Sequence, residues 1–281
     1  MRVMVTGAHG QLGSDVIKKL AELGISHIGI DKEDFDITDE TRVYSALKGF
    51  APDGVIHCAA YTDVDGAQEH RETCRAVNEE GTRNVATACA HTGAKLISIS
   101  TDYVFSGEGT RLLETGDARQ PLNVYGETKM KGEDIVRALT EKHFIVRTSR
   151  VFGINGNNFI KTMLRLGRER DEVAVVNDQI GSPTYTYDLA ALLCDMIHTD
   201  KYGVYHAVNE GYCSFYELAV RCFCIAGLSC RAVPVPSAAY KTKANRPLNT
   251  GLSTRSLTEA GFNCLPPWED AVDRFMRALL G

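Results

Sequence analysis

The chain opens with RVMVTGAHGQLG, an alternating apolar run that stops at a cluster of glycines and passes at once into the amphipathic segment DVIKKLAEL. No other junction limits the fold as strongly. Val3 and Val5 alternate as the residues of a half-buried strand do. Gly7, Gly10 and Gly13 then permit a tight strand-to-helix turn, close approach of backbone to a pyrophosphate, and close packing of the helix on the strand. A helix N-terminus at Gln11 and Leu12 offers free amide donors and a partial positive charge to phosphate oxygens. A second apolar stretch, HIGI, ends at Asp31, about 20 residues on, where an acceptor for a ribose 2′-hydroxyl belongs. The turn is expected to bind a dinucleotide.

Beyond the first turn, strand-like runs (GVIHCAA, KLISIST, HFIVRTS) alternate with segments of helical periodicity such as ETRVYSALKGF and TRNVATACAHTG. That alternation implies right-handed crossovers and a doubly wound, parallel α/β sheet of the Rossmann type. After Arg150 the pattern loosens into a turn-rich patch and proline-bearing loops (VPVPS, NRPLN, LPPWED), which suits a smaller C-terminal α/β substrate-binding lobe. The expected division is a dinucleotide-binding domain over 1–150, completed by roughly 185–205, and a discontinuous lobe over 151–281. A chain of 281 residues with 44% hydrophobic content buries such a core without staples. Its nine cysteines are odd in number, scattered and without zinc spacing, and they read as reduced thiols of a cytoplasmic protein. A net charge of −5 with no basic stretch argues against nucleic acid, and the absence of a long apolar run argues against a membrane.

In an open parallel sheet, ligands lie beyond the carboxyl ends of the strands. Three segments bring chemistry there. Ala59, Ala60, Tyr61 and Thr62 follow one strand, and the small residues among them let backbone approach a cofactor. KLISIS delivers Thr101 and Asp102; the Thr101 hydroxyl suits a substrate carbonyl oxygen, while Asp102 fits a structural turn at least as well. In NVYGETKMKGE, Tyr125 and Lys129 stand four apart, so on a helix the phenol and the ammonium share a face. A phenol with a pKa of about 10 needs help to exchange protons near neutrality, and a fixed cation favours its phenolate. His9 and His57 have no partners at ligand spacing and read as structural.

These motifs together resemble an extended short-chain dehydrogenase/reductase. STDYVFSG, PLNVYGETKMKGE, NNFIKTMLRL, VNDQIGSPT and ANRPLN narrow the resemblance to the dTDP-4-dehydrorhamnose reductase family, over nearly the whole chain. The resemblance implies hydride transfer from NADPH or NADH to C4 of dTDP-4-dehydro-β-L-rhamnose, giving dTDP-β-L-rhamnose. It implies Tyr125 as proton donor, Lys129 as the group that holds the nicotinamide ribose and lowers the Tyr125 pKa, and Thr101 as a modulator of the reacting carbonyl. Cofactor contacts are implied for Gly10, Gln11 and Leu12, for Asp31, for Asp36 and Ile37 near the adenine, and for Ala60, Tyr61 and Thr62. In DITDE, Asp36 fits a helix N-cap equally well. Arg246 of NRPLN is a candidate diphosphate clamp, with a surface salt bridge as the alternative. Gln179, Ser182 and Thr184 are candidates for the sugar pocket.

Two departures from the family pattern stand out. Arg150 in RTSRVFG occupies the position of a tryptophan matched to the deoxysugar, which puts a charged donor fork where an aromatic platform is expected. Some relatives bind Mg²⁺ through acidic residues between the subunits of a homodimer; Asp15 is the comparable residue here, and as a short carboxylate on a helix face it is expected to be solvated, with no metal required. A related 4-keto sugar nucleotide, an epimerase reaction and a non-catalytic NAD(P)-binding regulatory subunit, like that of methionine adenosyltransferase, fit the same fold.

Overall fold

The computed structural model describes residues 1–281. Six parallel strands form the main sheet: β1 (Arg2–Thr6), β2 (Ser26–Ile30), β3 (Gly54–His57), β4 (Lys95–Thr101), β5 (His143–Thr148) and β6 (Gly203–His206), in the order β6-β5-β4-β3-β1-β2. The order reverses between β1 and β3, which opens a crevice at their carboxyl ends.

Strand periodicity sorts the core into two layers. Val3 and Val5 of β1 and Phe144 and Val146 of β5 face one cluster, whereas Met4 and Ile145 face the other. The first cluster is closed by α1 (Gln11–Glu22), whose Leu12, Val16 and Leu20 recur at helical spacing, and by a late helix, Thr186–Ile197, with Leu189 and Leu193. The second is closed by α2 (Glu40–Phe50), α3 (Thr82–Thr92) and α4 (Val124–Leu139). After β5 the chain leaves the sheet and returns to it with the Thr186–Ile197 helix, with β6 and with the later segment that carries Leu257, Phe262 and Leu265.

The second lobe packs α5 (Phe159–Glu169) and the later helices Phe215–Ile225 and Trp268–Leu280 around Phe152, Leu164, Leu218, Trp268 and Phe275. Short strands stitch it together. Glu172–Val176 pairs with Arg231–Val235, and Ile180–Gly181 lies between Cys213–Ser214 and Asn249–Thr250. All nine cysteines are free thiols, six of them buried. No helix is long and apolar enough to cross a membrane.

Candidate active site

The glycine turn has the shape that a phosphate cradle needs. Gly7 adopts φ +68°, and a Cβ there would fall 2.7 Å from the Ala59 nitrogen; a Cβ on Gly13 would fall 2.0 Å from the Gly7 carbonyl oxygen. Side chains are therefore excluded at Gly7 and Gly13 on steric grounds, and the Gly7 backbone lies directly against Cys58 and Ala59. Gly10 is the N-cap of α1 and supplies no side-chain cap, so the first amides of that helix are left for a ligand. Leu12 is buried in the core, which leaves only its backbone facing the turn. The Gln11 side chain accepts a hydrogen bond from Asn158 Nδ2 (3.0 Å) and ties the turn to the second lobe.

Asp31 sits above this turn at the end of β2. Its carboxylate accepts from the His9 and Lys32 amides at 2.7 and 2.8 Å, so it is locked in place beside the cradle. Asp36 is exposed and accepts from the Thr38 amide at 2.9 Å. It does not cap α2: that position belongs to Asp39, which accepts from Arg42 N, because the helix begins three residues later than DITDE alone suggested. Ile37 is buried and its carbonyl accepts from Asn84. His57, as expected, is a buried structural group, joined to Thr6 Oγ1 at 2.7 Å and to Thr82.

At the carboxyl edge of β4, α4 is zipped along the strand by residues four apart. Lys129 Nζ donates to the Ile99 carbonyl (2.7 Å), Ser100 donates to Glu133 Oε1 (2.6 Å), and the Thr101 hydroxyl lies against the Tyr125 phenol. Asn123 caps the helix by accepting from the Gly126 amide, which fixes the first turn and with it Tyr125. Tyr103 packs edge-on against Tyr125 with ring centroids 5.9 Å apart. The spacing thus produces the shared face that the sequence implies.

The electrostatics run against the simplest reading of that face. Burial pushes the Tyr125 phenol well above its ordinary range, against the neighbouring Thr101 hydroxyl, which works downward. Burial also pushes Lys129 down to about 8, with Glu133 opposing. The expected lowering of the Tyr125 pKa by Lys129 is therefore not what the geometry gives: the ammonium turns to a strand carbonyl, and desolvation dominates both groups.

Several other expectations are revised. Arg150 adopts φ +45° and donates to the carbonyls of Cys213 (2.8 Å) and Gln179 (2.7 Å). Its guanidinium stacks on Phe215 at 3.8 Å, and a Cβ on Gly181 would strike its Nε at 2.5 Å, so the group is clamped between a ring and a backbone rather than turned toward a ligand. Ser182 and Thr184 are fully buried; the Thr184 hydroxyl is spent on the Ser182 carbonyl and Ser182 Oγ faces the Leu252 amide. Arg246 pairs with Asp65 at 2.7 Å and faces the Tyr103 hydroxyl, while its buried Nε has no protein partner. Asp15 is not solvated. It is buried beneath the Thr186 hydroxyl, which donates to it, and burial raises its pKa.

Two buried groups that the motifs did not single out complete the site. Asn78 lies in a π-helical turn, Ala76–Gly81, ahead of α3; its Oδ1 accepts from the Tyr61 amide (2.9 Å) and its Nδ2 donates to the Tyr61 carbonyl and to Thr128 Oγ1 (3.0 Å). It therefore couples the Ala59–Thr62 loop to the helix that carries Tyr125. An asparagine inside an otherwise good helix was the available signal. Glu133 receives Arg147 in a bidentate pair (2.7 and 2.7 Å) with both side chains about 1% exposed, and Arg119 adds a further bond.

This arrangement matches known proteins throughout its length. The family model for the RmlD substrate binding domain covers residues 1–280. Among curated proteins, dTDP-4-dehydrorhamnose reductase of Aggregatibacter actinomycetemcomitans is 38% identical, over 96% of this chain and 97% of that protein. The spore coat polysaccharide biosynthesis protein SpsK of Bacillus subtilis is 37% identical, over 98% and 97%. Among solved structures, dTDP-4-dehydrorhamnose reductase of Bacillus anthracis in complex with NADP superposes with a TM-score of 0.96 at 42% identity, covering 99% of each chain. The chain belongs to the RmlD substrate binding domain family.

Proposed function

We propose that the protein is an NAD(P)H-dependent oxidoreductase that reduces the C4 keto group of dTDP-4-dehydro-β-L-rhamnose to give dTDP-β-L-rhamnose. The observation that carries the reading is the joint placement of Thr101, Tyr125 and Lys129 at the carboxyl edge of β4, with only β3 between them and the glycine turn that follows β1, in a chain of this family.

In this reading residues 1–150, with roughly 185–205, hold the dinucleotide, and the remainder of 151–281 holds the sugar nucleotide. The glycine turn and the uncapped start of α1 take the pyrophosphate, Asp31 accepts from the adenosine ribose, and Ala59–Thr62 line the nicotinamide side. A reduced nicotinamide supplies hydride when bound. Tyr125, held protonated by burial, is the loaded acid that delivers its proton to the 4-oxygen as that oxygen gains charge. Lys129, buried and near neutrality in its pKa, holds a ribose hydroxyl and offsets the phenolate left behind. Asn78 keeps these two walls in register through Tyr61 and Thr128. Arg246, with one buried guanidinium nitrogen free of protein partners, is the group on the second lobe fitted to a diphosphate. We place the reaction in the cytoplasm, where nine free thiols stay reduced, and expect NADPH and NADH both to serve.

The test is oxidation of NAD(P)H against a panel of 4-keto sugar nucleotides. Turnover is expected with the dTDP-4-dehydro-6-deoxy sugar; a protein that binds the cofactor but oxidises it with none of them would be a regulatory subunit instead.

A further inference from the structure

The run Lys243–Arg246 belongs to the second lobe, yet each of its residues is fastened to the first domain. Lys243 Nζ pairs with Glu69 Oε1 (2.6 Å), the Ala244 amide donates to Asp65 Oδ1 (2.9 Å), the Asn245 carbonyl accepts from Asn123 Nδ2 (2.8 Å), and Arg246 Nη2 donates to Asp65 Oδ2 (2.7 Å). Asp65 thus holds the backbone of this strap with one carboxylate oxygen and the Arg246 guanidinium with the other. Asn123 is the cap of α4, so the same strap is tied to the turn that carries Tyr125.

Asp65 is itself fixed in place. It closes the turn that follows Ala59–Thr62, in which the Gly66 amide donates to Asp63 Oδ1 (2.9 Å) and a Cβ on Gly66 would fall 2.4 Å from Asp63 Oδ2 and 2.8 Å from the Tyr61 hydroxyl. From that turn the Arg246 guanidinium is set with Nη1 3.5 Å from the Tyr103 hydroxyl, and the Tyr103 ring packs edge-on against Tyr125. Asp65 engages one arm of the guanidinium and leaves Nε without a protein partner. A long arginine side chain without such a partner spreads over many rotamers, and a ligand then bears the entropy of ordering it.

We propose that Asp65 is a positioning residue for the sugar nucleotide: it orders Arg246 on the first domain before the diphosphate arrives. The proposal rests on Arg246 as the diphosphate group. The same ion pair has an opposite reading, in which Asp65 is a counter-charge that the ligand must displace. The two differ in sign, because loss of Asp65 weakens diphosphate binding in the first and tightens it in the second.

The test is a calorimetric titration of dTDP into the NADPH-loaded protein, for wild type, Asp65→Asn, Arg246→Ala and the double variant. An asparagine keeps the size of Asp65 and can still accept from the Ala244 amide, but it then turns an amide donor toward Arg246 Nη2. Asp65→Asn is expected to raise the dTDP Kd by about 2- to 10-fold, the worth of ordering one long side chain. Arg246→Ala is expected to raise it by about 10- to 100-fold, and Asp65→Asn to weaken binding no further in that background. NADPH affinity should be unmoved, and in turnover the sugar-nucleotide KM should rise with kcat little changed.

An unchanged or tighter dTDP Kd in Asp65→Asn would overturn the proposal, and so would an equal weakening in both backgrounds, which would trace the effect to Ala244 instead of Arg246. Asp65→Ser, too short to reach Arg246, carries the same expectation should the asparagine variant fold poorly. If Arg246→Ala leaves dTDP binding intact, Arg246 is not the diphosphate group and the proposal falls with it; an effect of Arg246 without one of Asp65 removes the proposal alone. The titrations need no turnover. The expected pattern, found in a protein that reduces no keto sugar, would remove the assigned reaction and leave the role of Asp65 standing.

Discussion

Replacing Glu133 by Gln should cost the protein more stability than any single change at the ligand-facing residues. Glu133 carries the charge that allows Arg147 to be buried: both Oε atoms meet the Arg147 guanidinium at 2.7 Å, and Arg147 is 1% exposed. The other partners of the Arg147 guanidinium are the Thr115 carbonyl (3.0 Å), the face of the Phe105 ring (5.0 Å to its centroid) and His206 Nε2, on a ring that burial holds neutral by pushing its pKa down to about 3. No second anion is available to it. Loss of one partner of a buried pair typically costs 3–5 kcal/mol, and the glutamine oxygen retains part of one hydrogen bond, so about 3 kcal/mol is expected. At roughly 2–4 °C per kcal/mol for a chain of this size, the melting temperature should fall by about 6–12 °C.

The pH dependence has a definite sign. Burial pushes the Glu133 carboxyl up, but Arg147, Ser100 and Arg119 outweigh it and hold the folded-state pKa below the ordinary value. Its contribution is therefore complete above the ordinary carboxylate pKa and is lost as the pH falls through the depressed one. The gap between wild type and Glu133→Gln, measured by calorimetry or circular dichroism, should be full at neutral pH and should close in acid. The double variant Glu133→Leu with Arg147→Met should recover much of the loss, since neither charge is then stranded. A drop of less than about 1 °C at neutral pH, or a gap that widens in acid, would refute the reasoning.

Three further outcomes are expected. Tyr125→Phe should lower kcat by at least about 10²-fold with little change in cofactor affinity, as steady-state kinetics and a direct binding titration would show; near-normal turnover would remove Tyr125 as the acid. Asp31→Ala should raise the efficiency with NADPH relative to NADH, because the carboxylate repels a 2′-phosphate; an unchanged ratio of the two kcat/KM values would mean that Asp31 makes no contact with the ribose. Arg150→Trp should lower the melting temperature and bring no gain in kcat/KM, because an indole cannot donate to both Gln179 O and Cys213 O, at about 1–3 kcal/mol for each carbonyl left bare.

What the sequence disclosed and what it withheld divide along the range of the interactions. The glycine turn, the strand and helix order and the Tyr125–Lys129 face follow from spacing along one or two elements, and local periodicity is enough to read them. Arg150 was misjudged because its partners, Gln179, Cys213 and Phe215, come from distant parts of the chain and meet only in the folded lobe. The same holds for Asp15, whose partner Thr186 is 171 positions away, and for Ser182 and Thr184, whose letters do not reveal burial. Asp36 and Asp39 compete for one cap within four residues, a choice that propensity alone does not make. Asn78 was passed over because a π-turn leaves only a weak trace in sequence. The upward pKa shift of Tyr125 was missed for another reason: the motif places a cation nearby, but it says nothing of how dry the site is.

The central claim is that hydride moves to C4 of a dTDP-linked keto sugar while Tyr125 supplies the proton. The most direct test is one turnover with NADPH deuterated at the transferring position of the nicotinamide, followed by mass and NMR analysis of the sugar nucleotide. The account requires one deuterium at C4 of dTDP-β-L-rhamnose, with net oxidation of one cofactor per product and almost no label transfer by Tyr125→Phe. Label that returns to the cofactor, label at another sugar carbon, or an epimerised keto sugar with no net cofactor oxidation would contradict it.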